Sequence, residues 1–430
     1  MNKLKIDHHI PKTAEGTYFT IPFEVPDGNI ERITVTYQYN RFSGKISHPA
    51  NMFNIIDLGL MDVAGKFLGW SGSARHTVFV GPYSSTSGYL MTTIAPGKWH
   101  ILVGAYKIPE NGLSVHYEIT FTPLLPRWFV GDLHMHSTAS DGKHDIYTLA
   151  KMAQKEGLDF IAVSNHNNYS ENLHLPVVPA LTLIPAVEWT HYRGHMNFFG
   201  IDNPFDNSFV ANNEQEMLTL IANARDKGAL VSVNHPKCNL CPYLWQGEDC
   251  FDLIEVWNGP MRKVNMNGIA WWHKMLQNGR KIPLVGGSDF HKSRHIVRFA
   301  HPVTYVYANS PAVEDILNAI SQGRSYVTAS VKGVQLDLRC GEYMMGDTVQ
   351  KQDGLPLKVA ASRLRPGMHL KLVTQDGVAA EWRSFHNGRL ETEVPVSKGW
   401  KFAYLMVSRG IFGMDYVRTI SNPIYFDQEH

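Results

Sequence analysis

Two histidines separated by one residue, His134 and His136, follow the apolar stretch Trp128 to Val130. In an extended chain residues two apart project to the same side, so both imidazoles can grip one metal ion from a single strand end. That spacing is weak evidence alone, because His-x-His also occurs where histidines merely satisfy hydrogen bonds in a core or loop. The same geometry returns at Asp289 and His291, directly after KIPLVGGS. Between the two pairs, His166 ends IAVSNH, Glu188 follows LTLIPAV, His195 precedes MNFF and His235 ends ALVSVNH. In each case an apolar segment stops where a metal-ligand residue type begins, the pattern expected when several strands of one barrel aim side chains into one mouth. Imidazole and carboxylate donors without thiolate suit Zn, Mn or Fe. Two such ions roughly 3.5 to 4 Å apart can share a water and lower its pKa toward neutrality, supplying hydroxide without a protein nucleophile. Asp289 is then the candidate to take the proton from the bridging water. The chain contains no G-x-S-x-G elbow and no Walker loop, so serine-hydrolase and NTPase chemistry have no support.

The elements that must carry these residues change along the chain. From about residue 9 to 124, segments such as TYFTIPFEV, RITVTYQY, GYLMTTIA and LSVHYEITFTP cluster β-branched and aromatic residues between Pro and Gly turns. That predicts an antiparallel β-sandwich over 1–126. From Trp128 to about 330, short apolar strands alternate with helical patterns near 145–156, 213–227 and 265–278. In the first helix Ile146, Leu149, Ala150 and Ala153 fall on one face and Gly157 stands as a stop. Repeated βα order implies a parallel sheet or barrel with its chemistry at the C-terminal strand ends. Strand patterns return over 331–430, predicting a second sandwich.

Read in order, His134-Met-His136, Ser140-Asp141-Gly142, Asn165-His166-Asn167, Ala186-Val187-Glu188, Gly194-His195, Asn234-His235-Pro236 and Gly287-Ser288-Asp289-Phe290-His291 resemble the motifs of the polymerase and histidinol phosphatase (PHP) domain family. The resemblance spans about 200 of the 430 residues. It implies an α/β fold with a distorted seven-stranded β/α barrel over 127–330, flanked by the two β-sandwich domains. It also implies two or three divalent transition-metal ions. His134, His136, Glu188 and Asp289 would hold the first, Glu188 as a bridge with His195 and His235 the second, and Asp141, His166 and His291 the third. Asn165 departs from the family, which often has Asp there; an amide still orients the neighbouring imidazole but brings no charge.

Other residues admit plainer roles. Lys237 and Arg294 follow ligand candidates and are read as substrate contacts, with Arg193 a weaker case, and Asn258 after LIEVW as a positioning group. His191 stands four residues before His195, a helical pair spacing, yet the family pattern favours His195. Cys238 and Cys241 read as ordinary loop thiols, since no second Cys or His pair completes a zinc clip. Trp271 and Trp272 read as core.

Composition narrows the classes. Lys+Arg 40 against Asp+Glu 39 gives no broad basic surface, so nucleic acid is not an expected partner. No apolar run reaches membrane-span length and no signal peptide opens the chain, which leaves the cytoplasm as the expected compartment and reduced thiols as the state of the four cysteines. Oligomeric state is open. The expected activity is hydrolysis of a small-molecule phosphoester by a metal-bridging hydroxide. A carboxyl-ester or carbamate hydrolase is the alternative, because a β domain in front resembles the carbaryl-hydrolase branch. A non-catalytic metal-binding module is a third reading. Lysine and arginine facing the metals would mark a dianionic phosphate, and an apolar wall a neutral ester.

Overall fold

A computed structural model describes residues 3–42, 53–293, 296–350, 355–411 and 414–427. The chain divides into two compact units, Met1–Leu125 and Pro126–His430. In the first, β1 (Lys3–Ile10), β2 (Tyr18–Val25), β3 (Ile30–Tyr39), β4 (Ile55–Met61), β5 (Phe67–Trp70), β6 (Thr77–Val80), β7 (Gly97–Lys107) and β8 (Leu113–Pro123) form two four-stranded sheets, ordered β1-β8-β3-β6 and β2-β7-β4-β5. All pairings are antiparallel. The alternating inward residues of both sheets, Val35 and Ile119 of one and Leu58 and Val103 of the other, share one core. GYLMTTIA is not a strand: Tyr89 forms one isolated bridge to Gly69, and its hydroxyl donates to the Leu58 carbonyl at 2.9 Å. Side-chain anchoring there replaces ladder pairing.

The second unit begins with β9 (Arg127–Met135), α1 (Ile146–Glu156), β10 (Phe160–His166), β11 (Thr182–His191), β12 (Gly194–Phe199), α2 (Glu214–Asp226), β13 (Leu230–Asn234), β14 (Leu253–Asn258), α3 (Lys263–Gln277) and β15 (Leu284–Gly287). Next come β16 (Val303–Ala308), α4 (Val313–Ser321) and β17 (Ser325–Thr328). Helix α1 buries Ile146, Leu149, Ala150 and Ala153, starts on an Asp145 cap that accepts from the Thr148 amide, and stops at Gly157, whose φ of 78° only glycine adopts freely.

The seven strands β9 to β15 lie side by side in sequence order. Regular βα alternation is not what joins them. Strands β11 and β12 form a hairpin, and β12 runs antiparallel to both neighbours. The turn Tyr192-Arg193 is too short for a crossover helix, which a parallel partner would require. The fold is therefore mixed α/β, mostly strands with few helices. The row curls back on itself at one end, where Met135 and Phe290 form a single parallel bridge and the His136 amide donates to the Phe290 carbonyl at 2.9 Å. A closed, continuous ladder is not formed there.

The inner face of this row sets the direction of the site. Phe160 and Ala162 of β10, Ile184 and Ala186 of β11, Phe199 of β12, Leu253 of β14 and Val285 of β15 pack into one buried cluster. Counting by twos from these residues reaches His166, Glu188, His195, Glu255 and Asp289. In β9 the register against β10 slips between Asp132 and Met135, three residues against two. That extra residue changes the phase and turns His134 inward. Close approach of β15 to β9 needs Gly287: a Cβ there would overlap the Cβ and amide of His134.

Beyond β17 the chain adds sheet to the same unit. Tyr326, Val327 and Thr328 pair with Ser421, Ile420 and Thr419 of the strand Met414–Ser421. Apolar residues 334 to 426 join the cluster that holds Val130, Met135 and Leu149. No described helix is long and apolar enough to cross a membrane.

Replacing Gly287 by Ala is expected to cost about 1–3 kcal/mol, the range for overpacking a tight interior. The measurement is thermal unfolding alongside metal binding, and an unchanged melting point with unchanged affinity would contradict the close approach.

Candidate metal centre

All nine ligand candidates converge. Glu188, 1% exposed, is the centre. Its Oε1 lies 3.3 Å from His134 Nε2, 3.1 Å from His195 Nδ1 and 3.3 Å from His235 Nε2, and accepts from Asn234 Nδ2 at 3.0 Å. Its Oε2 lies 2.8 Å from His166 Nδ1 and 3.6 Å from His136 Nε2. Asp289 Oδ1 faces His136 Nε2 at 3.1 Å and both His134 Nε2 and His291 Nδ1 at 3.5 Å. On the outer side Asp141 Oδ1 is 3.2 Å from His291 Nε2 and 3.6 Å from His166 Nε2. Gly142 lets that turn press close, since a Cβ there would strike the His136 carbonyl.

Three non-glycine residues at these strand ends have positive φ: Asn167 at 48°, His235 at 30° and Asp289 at 52°. This conformation costs energy and persists where surrounding structure enforces it, which is common at functional sites. Asn167 is held by its own amide, which accepts from the Thr190 N–H at 2.8 Å and donates to the Thr190 carbonyl at 2.9 Å.

Burial and charge set the protonation. Burial pushes the Glu188 carboxyl up, but the surrounding imidazoles, His134 foremost, outweigh it and hold the group well below its ordinary range. Burial opposes charge on His134, yet Glu255, Glu188 and Asp289 drive it well above the usual imidazole value. His166 and His235 are raised against burial by Glu188, whereas burial lowers His136 to about 4.

The donor set fits metal ions. His134 Nδ1–H donates to Glu255 Oε1 at 2.9 Å, because a carboxylate oxygen only accepts. In its neutral form the ring would turn the lone pair of Nε2 toward two carboxylates, and that atom is buried without a hydrogen bond among the described residues. Lone pair facing carboxylate is repulsive unless a proton or a cation intervenes, and a site built this way supplies metal ligands with fixed tautomers. His291 is set likewise, its Nδ1–H donating to the Asp289 carbonyl at 2.9 Å and its Nε2 facing Asp141. Sets with donor atoms mutually within 4.8 Å are His134, His136 and Glu188; His134, His235 and Asp289; His136, Asp141, His166 and His291; and His195, His235 and Cys241.

Several residues acquire roles the sequence did not disclose. Glu255, 3% exposed, is the tie between His134 and the His235 amide, which donates to its Oε2 at 3.1 Å. Asp132, fully buried with its carboxyl pushed up to about 6 by that burial, accepts from the Ser288 amide at 2.9 Å and aligns β9 with the Asp289 turn. Cys241 Sγ lies 3.5 Å from His235 Nδ1, which sets it apart from an ordinary loop thiol.

The remaining candidates have other neighbours. Asn165 does not orient His166; its side chain binds Ser137, Ser140 and Glu171, and Thr190 Oγ1 stands 2.6 Å from His166 Nδ1 instead. Asn258 is buried and one N–H of its amide donates to Glu255 at 3.2 Å, which places it behind His134. Lys237 sits 4.4 Å over the Trp271 ring, and Arg193 4.4 Å over Trp245. His191 is on a strand, so the helical spacing does not apply; it stacks on Trp189 at 5.5 Å and lies tilted against Trp245 at 4.8 Å. Arg294 lies outside the described residues.

No protein-family model and no curated protein matches the chain. Several solved structures are similar to parts of it, two of them as follows. One is a two-domain protein from Bacteroides vulgatus containing a predicted PHP-like metal-dependent phosphoesterase, at 18% identity over 70% of this chain and 96% of that one, with a TM-score of 0.42. The other is an amidohydrolase from Chromobacterium violaceum with bound sulfate and no metal, at 13% identity over 39% and 89%, with a TM-score of 0.28.

Changing Glu255 to Gln should weaken divalent-metal affinity about 10- to 100-fold while the fold survives, the usual effect of losing a carboxylate behind a ligating histidine. Competition with a chelator measures it, and undiminished affinity would remove Glu255 from the centre. The raised His134, His166 and His235 hold protons that metal must displace, so affinity should already fall as pH drops through the range above the ordinary imidazole value, and binding should release protons. Calorimetry in buffers of different ionisation enthalpy reads this directly, and a pH-independent affinity would contradict it.

Proposed function

We propose that this protein is a metal-dependent phosphoesterase of the PHP type acting on a small molecule, with the seven strands β9 to β15 as a distorted barrel. The observation that carries the choice of bond is a cavity of about 350 Å³ beside the cluster, lined by Asp141, Asp289 and His291 together with Lys143 and Lys292. Among the described residues neither ammonium has a carboxylate partner. Two uncompensated cations beside a metal cluster suit a dianionic phosphate, whereas a neutral ester or carbamate needs neither.

Two or three divalent ions would be held, by His134, His136, Glu188 and Asp289 around the first, Glu188, His195 and His235 around the second, and Asp141, His166 and His291 around the third, with Cys241 grouped beside His195 and His235 as a further donor. Such ions lower the pKa of a water and neutralise charge developing on phosphoryl oxygens. The chain's own groups do the rest. Lys143 and Lys292 bind and orient the phosphoryl oxygens, and the Lys143 backbone is fixed by its amide donating to the His291 carbonyl at 2.8 Å. Asp289, its side chain 27% exposed where Glu188 is 1%, reaches the open mouth and takes the proton from the attacking water. Water adds to phosphorus as the bond to the alcohol oxygen breaks, and the alcohol leaves with a proton from solvent. Glu188, enclosed by imidazoles, stays ionised and holds the centre together.

The test is hydrolysis by metal-loaded protein of phosphomonoesters, phosphodiesters, carboxyl esters and carbamates. Phosphoester turnover is expected, and activity confined to the last two classes would overturn the proposal. Asp289→Asn should lower kcat by about 10²- to 10⁴-fold, the contribution of a positioned general base. Lys143→Ala and Lys292→Ala should each cost roughly 10- to 100-fold in kcat/KM, as for a charge-assisted hydrogen bond. Unchanged turnover in Asp289→Asn would remove it from the chemistry.

A further inference from the structure

The cluster opens on another side. A cavity of about 520 Å³ lies against His195 and is walled by Tyr192, Phe209, Val210 and Leu240. These four side chains are 97%, 41%, 57% and 94% exposed. Leaving several large apolar groups in water at one place forfeits about 25 cal/mol per Å² of burial, and such concentrations mark binding sites.

The wall is held in place by interactions that a casual surface loop lacks. Trp189, fully buried, donates its indole N–H to the Phe209 carbonyl at 2.7 Å. The hairpin turn that presents Tyr192 is pinned by Arg193 over the Trp245 indole, with His191 stacked on Trp189 and tilted against Trp245. Two polar groups of the lining nearest the cluster are already occupied. Asn167 spends its amide on the Thr190 backbone, and the Thr190 hydroxyl meets His166. The lining left for a ligand is mainly apolar, and it ends at His195, which contacts Glu188 at 3.1 Å.

We infer that this cavity receives the organic half of the substrate and that this half is an apolar group of aromatic-ring size, so that the substrate is an aryl or similarly bulky apolar phosphomonoester. The inference rests on the phosphoesterase reading. The phosphate goes to the side with Lys143 and Lys292, the ester oxygen falls at the metal cluster, and the ring lies against Phe209, Val210 and Leu240. The volume falls within the range of small-molecule sites, roughly 300 to 1,000 Å³.

Calorimetric binding of phenylphosphonate and methylphosphonate to metal-loaded protein tests this without requiring turnover. Phenylphosphonate should bind about 10- to 100-fold more tightly, the discrimination an apolar pocket achieves. Leu240→Asp and, independently, Val210→Asp should erase most of that excess; both positions are exposed, and metal content with melting temperature verifies each variant's fold. Equal affinity of the two phosphonates, or an excess that survives both substitutions, overturns the inference and leaves the phosphoesterase reading standing. Failure of both phosphonates to bind metal-loaded protein overturns that reading, and the inference with it.

Discussion

A carboxylate removed from water stays ionised only if opposite charge or hydrogen-bond donors replace its hydration. Glu188 obtains that replacement from imidazoles delivered by different strands, His134 from β9, His166 from β10, His195 from β12 and His235 from the end of β13. Much of the local architecture follows from bringing them to one point. The slipped register in β9, the glycine at 287 and the positive φ values at 167, 235 and 289 each make room for, or aim, one contributor. None is favourable in isolation. A buried charge with a partner removed costs several kcal/mol, so these local strains are small beside the loss they prevent.

Around this centre the surroundings separate by polarity. The Asp141 and His291 side carries lysines, and the His195 side carries exposed apolar groups. Such a division orients an amphipathic molecule, since reversal would desolvate its anion against Phe209 and leave its apolar part among cations. The supporting carboxylates act behind the centre. Glu255 and Asp132 never reach the open mouth, yet they fix the tautomer of His134 and the path of the Asp289 turn.

The sequence was informative where the pattern is local. Strand ends meeting ligand types, a helical face at Ile146, Leu149, Ala150 and Ala153, and a stop at Gly157 all follow from periods of two and 3.6. It was uninformative where roles depend on what lies across the sheet. Glu255 reads as one letter in the buried strand LIEVWN; an acid amid residues that are all buried was the available signal, because it must be paired. Thr190 and Cys241 are named only by the folded neighbours of His166 and His235. The first strand, KLKIDHHI, hides behind charged residues on its outer face, its burial alternating along the strand. The hairpin β11–β12 broke the expected βα rhythm because a tight turn leaves no chain for a helix.

The sheet that supports the centre does not end with its own strands. Strand β17 has β16 on one edge and the distant strand Met414–Ser421 on the other, and residues from both ends of this unit fill one core. On the ribosome, which releases the chain from its N-terminus, every ligand of the centre emerges before the strand that covers β17. Until residues near 420 are free, Tyr326 and Val327 offer an open edge and an apolar face to any other nascent chain. Synthesis of this protein therefore includes an interval in which every candidate ligand is present and the sheet that supports them is unfinished.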